Sequence, residues 1–443
     1  MMHVVKKLPP EYCFKKLWLP FVAYFFAILF FIFYSQTATA QIAPVTVEIP
    51  VVKDTKAGNR QRLYKSLVNS INKNLSLPLA DSTEENWIDA FYSMELLRYK
   101  SPWAENKIHE AFSGIEKRSG TFQRALMELV YDACPVAFEK EVFFLLDTTT
   151  DAKCFAACAE YLLKKTKAYE IKVVEKVSQR KNQYPDNPVI NALWQHIVAT
   201  GRKMAMPPVA DLLHHSLFPN ARIVFSFQRK NRNYPGLAII RDSAGNFVKD
   251  GYGNTFSVPQ LARSISNLPG YLSNGNTPQG IFRMKGFDVS KSIFIGPTPN
   301  VQLTMPVETT LQHFFNDSTI TDSVWSMGSY RNMLPLSWKN FTPFYETYFA
   351  GTCGRTEIIA HGTTVDPSWY KNTPYYPLTP TLGCLCTKEI WDEETGKRKT
   401  SGQQKLVDAI KKAGGADGYY IVVELDNEQR EVDINDILPF LNK

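Results

Sequence analysis

Two residues present themselves as a nucleophile and a base. Cys384 lies in Pro380-Thr381-Leu382-Gly383-Cys384-Leu385-Cys386, and His361 in Ile358-Ile359-Ala360-His361-Gly362-Thr363. A free thiol, with a pKa of about 8.5, is mostly protonated at neutral pH, so a nucleophilic cysteine needs a neighbouring imidazole to take its proton. His361 closes a strand-like apolar run, a rigid place from which to aim a base. Gly362 offers a backbone carbonyl that can hold the imidazole in one tautomer. Gly383 lets the chain turn sharply before the thiol, so that amide N–H groups can face a tetrahedral oxyanion. A third segment, Gly275-Asn276-Thr277-Pro278-Gln279-Gly280-Ile281-Phe282, reads as a turn leading into a strand.

Taken together and in this order, the three segments resemble the catalytic domain of the L,D-transpeptidase (YkuD) family. That family has a T-P-x-G-x-F/Y segment, then an apolar strand ending in His-Gly, then [S/T]-H-G-C as the nucleophile loop. The resemblance covers roughly residues 220–400. Papain-like and NlpC-type hydrolases place cysteine before histidine; here the histidine comes first. The resemblance implies acyl transfer on peptidoglycan stem peptides through a cysteine acyl-enzyme, with Cys384, His361, Gly362 and Gly383 as the catalytic set and no cofactor. Carboxypeptidase or endopeptidase action on the same site is the alternative, since the three activities differ only in acceptor and subsite.

The chain departs from the family pattern at three places. The second histidine of the nucleophile loop is Leu382, the residue two after the nucleophile is Cys386 where arginine is usual, and 22 residues separate His361 from Cys384. Arg355 is a candidate replacement for the missing cation, and Thr381 stands at the family's Ser/Thr position; both are expected at the substrate. Trp369, Tyr370, Tyr375 and Tyr376 in the long loop form either a lid or sugar-stacking wall, or aromatics that simply pack the loop. A rival reading gathers Cys353, His361, Cys384 and Cys386 into a Cys₃His zinc site of a non-catalytic envelope-binding protein. Its spacing matches no common finger, so the site residues are assigned without a metal. Cys353 and Cys386 are also drawn toward one neighbourhood if His361 and Cys384 meet, where a disulfide between them is conceivable.

The elements that must position these residues fall into an α+β multidomain chain. Residues 61–203 read as an α-helical repeat domain. In Thr121–Cys134 the apolar positions recur at three and four, Pro135 stops that helix, and Val136–Leu146 forms its partner. Ala152–Leu163 and Tyr169–Gln183 repeat the pair about thirty residues later, and Asn187-Pro188 opens Val189–Thr200 as N-cap and N1. The period resembles HEAT-type packing; an envelope protein docked on these helices is a conceivable partner. Cys134, Cys154 and Cys158 fall on apolar faces and read as buried small hydrophobes. After Pro207-Pro208 the texture changes, and Ile223–Gln228 and Leu237–Ile240 with the Asp242–Gly245 turn begin a mainly β domain spanning 204–443.

Ahead of both, residues 1–40 read as a signal peptide or membrane anchor and 41–60 as an extended leader. Four lysines precede the uncharged run Leu17–Tyr34, and Ala38-Thr39-Ala40 offers a cleavage pattern. The rest of the chain is therefore expected outside the cytoplasm, in the periplasm or cell envelope, touching membrane only through an uncleaved N-terminal segment. Removing residues 1–40 lowers the net charge from +7 to +4. No basic stripe remains to suggest a nucleic-acid partner.

Overall fold

The structure, a computed structural model, describes residues 49–133, 137–165, 168–202, 204–215, 220–321 and 323–441. The segment read as a signal peptide or anchor, residues 41–48 of the leader, Cys134, Pro135 and Val136 lie outside the described residues. Residues 50–443 form one compact unit of α+β architecture.

Eight helices come first: α1 (Ala57–Leu75), α2 (Glu84–Leu97), α3 (Pro102–Phe112), α4 (Gly120–Ala133), α5 (Glu139–Thr148), α6 (Ala152–Lys165), α7 (Glu170–Gln183) and α8 (Pro188–Arg202). Several of their starts carry short polar caps. Asp151 Oδ1 accepts from the Cys154 amide at 2.8 Å, and Asn187 Oδ1 accepts from Val189 and Ile190 at 3.0 and 3.2 Å, satisfying N–H groups that the first turn leaves without a partner. The apolar stripes of these helices meet in one core that includes Trp87, Phe91, Phe122, Leu126, Val142 and Leu162. Cys154 and Cys158 are wholly buried in it.

The short helix α9 (Val209–Leu213) then leads into a closed eight-stranded barrel. Its strands are β1 (Arg222–Gln228), β2 (Gly236–Arg241), β3 (Val258–Leu261), β4 (Gly280–Asp288), β5 (Asn300–Thr304), β6 (Ile359–His361), β7 (Leu385–Thr387) and β10 (Asp417–Glu424). They run in the order β1-β10-β4-β5-β6-β7-β3-β2, while β8 (Glu389–Trp391) and β9 (Arg398–Ser401) pair apart as a small hairpin. The expected β1–β2 hairpin is present, with Phe225 opposite Ile239. Most pairings are antiparallel; β1–β10 and β6–β7 are parallel. Alternation along the strands sends Val224, Ile240, Phe282, Ala360, Leu385 and Val422 into one apolar cluster, with Leu406 and Ile410 of α13 (Gly402–Lys412). Ile223, Phe225, Ile239, Ile281 and Ile421 go to another, with Trp338 and Phe344.

The boundary expected near residue 204 is a change of secondary structure rather than a gap in packing. Leu268, Tyr271, Leu272 and Cys353, from the barrel half, belong to the helical core. Burying each large apolar side chain there is worth roughly 1.5–3 kcal/mol. Polar bonds reinforce the seam: Arg263 Nη2 donates to Asp132 Oδ2 at 2.6 Å, Tyr271 to Glu160 at 2.8 Å, Asn274 to Glu128 at 2.9 Å, and Tyr370 to the Leu96 carbonyl at 2.9 Å. Burial alone would push the Asp132 carboxyl up, but Arg263 and Arg98 outweigh it and hold it below the usual carboxylate range.

Candidate active site

Strands β6 and β7 bring the segments of His361 and Cys384, the candidate base and nucleophile, together. They pair in parallel, Ala360 opposite Leu385 and His361 opposite Cys386. Alternation therefore places His361 and Cys386 on the face opposite the apolar Ala360 and Leu385, with Cys384 immediately before the strand.

His361 is buried, and its Nδ1 bonds to the Gly362 carbonyl. A carbonyl only accepts, so Nδ1 carries the proton and Nε2 keeps its lone pair. Burial pushes the imidazole down to about 4, against a smaller upward pull from the Gly362 carbonyl, so the ring is neutral at physiological pH. Behind it stands Glu389 on β8, a buried carboxylate that accepts from the Thr363 amide at 3.0 Å, Thr298 Oγ1 at 2.6 Å and Ser401 Oγ at 2.5 Å. A Cβ on Gly362 would stand 2.3 Å from that carboxylate, so the His-Gly step must be glycine for the strand end to sit this close.

Cys384 is half-buried, and its Sγ donates to the Glu357 carbonyl at 3.7 Å. Burial raises the thiol above its ordinary value, opposed by a hydrogen bond from the Ile359 amide and by the Arg355 charge. The resting pair is thus a neutral thiol and a neutral imidazole, and no hydrogen bond joins Cys384 to His361 in this conformation; such bonds often tighten only around substrate. Glu357 itself holds φ +63°, a left-handed backbone rare for a residue with a side chain. Its amide is tied to the Glu308 carboxylate at 3.2 Å, which fixes the turn that presents its carbonyl to the thiol.

The turn before the nucleophile is clamped from three sides. Gly383 adopts φ +114°, and a Cβ there would lie 1.9 Å from Arg355 Nη2 and 2.4 Å from the Gly275 carbonyl. Thr277 Oγ1 donates to the Gly383 carbonyl at 2.9 Å, and Thr381 Oγ1 donates to the Cys384 carbonyl at 2.8 Å while accepting from the Gly383 amide at 2.9 Å. That last bond occupies the Gly383 N–H within the turn.

Several expected substrate contacts are placed elsewhere. Arg355 is buried and spends its guanidinium on backbone: the carbonyls of Gly270, Asn276 (2.7 Å), Gly275 (2.6 Å) and Gly383 (3.5 Å). Burial lowers its pKa to about 10. It is a clamp on the nucleophile turn, not an open receptor for a carboxylate. Thr381 is likewise engaged within the turn. Tyr375 is buried, its hydroxyl receiving Arg98 at 3.3 Å and its ring lying 4.8 Å from the Arg263 guanidinium, so the seam with the helices covers it. Trp369 packs beside Tyr64 of α1, ring centroids 6.5 Å apart, in a cleft lined by Arg60 and Leu97. Of the loop aromatics expected at the substrate, Tyr376 is the exposed one, joined at the surface by Leu382. The packing explanation accounts for Tyr375 because the helical half supplies a partner that the loop sequence alone does not reveal.

Cys353 does not join these residues, and Cys386, although opposite His361 in the strand pairing, is not linked to it. Cys353 sits in the helical core, Cys386 contacts Thr379 at 3.9 Å, and burial pushes both thiols up to about 12. Both are free thiols, so the expected disulfide is not formed. Among the described residues no group of three or more His, Cys, Asp or Glu could hold a metal ion, which removes the Cys₃His arrangement. Sequence reasoning missed Glu389 and Glu308; each is a lone acid in an otherwise apolar or turn-like stretch, a weak signal. No family model, curated protein or solved structure matches the chain.

Proposed function

We propose that the chain is an exported cysteine acyl transferase of the L,D-transpeptidase type, acting on peptidoglycan stem peptides, with a HEAT-like helical half fused to the barrel. One observation carries this reading. Cys384 leaves a glycine turn onto a strand that pairs in parallel with the strand ending in His361, whose protonated Nδ1 is fixed so that Nε2 can accept.

In the proposed reaction the Cys384 proton passes to His361 Nε2 and the sulfur attacks the carbonyl carbon preceding a D-residue. The tetrahedral adduct collapses to a thioester as the leaving amine takes the proton back. An acceptor amine then attacks the thioester, forming a new amide and restoring the thiol; water in its place gives the carboxypeptidase or endopeptidase outcome. The neutral imidazole suits the first step, because a protonated ring could not receive the thiol's proton.

Incubation with purified sacculi, followed by muropeptide analysis, tests the reading. New cross-links or shortened stems are expected with the native protein and none with Cys384→Ser, whose hydroxyl is far less acidic. Unchanged muropeptides from native protein that alkylates normally at Cys384, or full turnover by the serine variant, would refute it.

A further inference from the structure

A second site lies where the helices meet the barrel, bordered by Gly270, Asn276 and Thr277 of the segment that also supports the Gly383 turn. A cavity of about 490 Å³ opens there, within the range that holds small ligands, and neither Cys384 nor His361 lines it. Most of its lining residues are polar, and their hydrogen-bonding capacity is lopsided.

The two carboxylates and the buried amide oxygens are already engaged. Glu346 takes the Gly270 and Gln279 amides, each at 2.9 Å, and Glu424 takes Arg232 Nη2 at 2.8 Å and Gln279 Nε2 at 3.1 Å. The side-chain oxygens of Asn233 and Asn276 receive Arg263 Nε at 2.7 Å and the Ser264 amide at 2.8 Å. Donors, by contrast, are left over. Arg232 is only 4% exposed, and its Nη1 has no hydrogen-bond partner among the described residues. Glu424 pairs the charge through Nη2, but a buried N–H without an acceptor is costly, so the spare Nη1 calls for something to bind it. Lys230 stands exposed at the same wall. His196 gives Nδ1 to Glu160 at 2.6 Å, and although burial pulls its pKa down, Glu160 carries it up to about 9, leaving Nε2–H as a further donor of a charged ring.

Spare cationic donors facing a cavity whose carboxylates and buried amide oxygens are engaged select an oxyanion. We propose that this cavity binds a small solute bearing a carboxylate or phosphate group, held by Arg232, Lys230 and His196. The site does not depend on the acyl-transfer reading.

Calorimetric titration of the full chain with inorganic phosphate and, separately, with succinate tests this and tells the two sources apart, with xylose as a neutral control. One anion should bind at one per chain while xylose does not. Lys230→Gln, at an exposed position where folding is not at stake, should weaken that binding roughly tenfold, the worth of one charge-assisted hydrogen bond. His196→Gln should do the same. Selective binding of phosphate or of succinate supports the site and names its chemistry. Absence of binding by both anions, or binding that survives both substitutions unchanged, overturns it.

Discussion

The proposed base lies at the end of one strand and the proposed nucleophile just before its parallel neighbour, yet they are held in opposite ways. His361 is buried, neutral and fixed by a single carbonyl, with the Glu389 carboxylate tying down the residue beyond it. Cys384 is half-exposed, and the chain around it is held instead by a cationic clamp: Arg355 and Thr277 grip the backbone of Gly383, while Thr381 bridges the turn. The base side is anchored by an anion that gathers donors, the nucleophile side by a cation that gathers carbonyls. The difference follows from what each side must do. A base needs a fixed lone pair, which one orienting bond secures, whereas a nucleophile on a turn needs its whole backbone immobilised, which takes many donors from one planar fork.

The largest expected break in this comparison comes on the base side. His361→Ala should lower the rate of Cys384 acylation by roughly a hundredfold to ten-thousandfold, the usual worth of a positioned acid–base group. Equal iodoacetamide reactivity in variant and native protein would show that the ring is not the base.

Acid should act through the same ring. Folding lowers the His361 pKa from 6.5 to about 4, so between those values the unfolded chain takes up a proton that the folded chain refuses. Stability from this group is present above pH 6.5 and is lost as pH falls toward 4, amounting to about 3 kcal/mol. Urea midpoints at pH 7 and pH 4 should differ by that much less in His361→Gln than in native protein. An identical pH dependence in the two would mean that the ring is solvated.

On the nucleophile side, Arg355→Met should destabilise the fold by about 2 kcal/mol, because it strands buried carbonyls that the guanidinium now satisfies. It should also slow Cys384 alkylation at constant pH, by withdrawing the charge that favours the thiolate. Arg355→Lys, which restores charge without the fork, should recover the charge effect more than the stability. If methionine leaves both quantities unchanged, the clamp has no energetic weight.

The smallest effect is expected behind the base. Glu389→Gln replaces one acceptor oxygen with a donor that faces Thr298, Ser401 and the Thr363 amide, costing about 1 kcal/mol. Turnover should fall by about fivefold with an unchanged pH optimum, since the variant loosens His361 without altering its ionisation. A shifted optimum would assign Glu389 an electrostatic role instead.

Local chemistry made a good deal of this legible beforehand. Apolar periodicity gives α4 to α8, short polar caps give the starts of α6 and α8, and two apolar runs give strands β1 and β2. The contact of Gly362 with His361 could be named because it joins adjacent residues. What the sequence concealed was each side chain's partner from far along the chain. Arg355 and Tyr375 look like free recognition groups when read locally; the first meets carbonyls of the 270–276 loop and Gly383, the second meets Arg98 of the helical half.

The sequence by itself determined many of the elements, the order of His361 before Cys384, and the glycine that the turn at Cys384 requires, because periodicity, capping and backbone freedom are properties of neighbouring residues. Tertiary structure alone decided which charges are spent inside the fold, that the two halves share one core, and that Arg232 is left with a donor to spare. Those outcomes depend on burial and pairing between segments tens to hundreds of residues apart, and no local pattern encodes which groups will meet there.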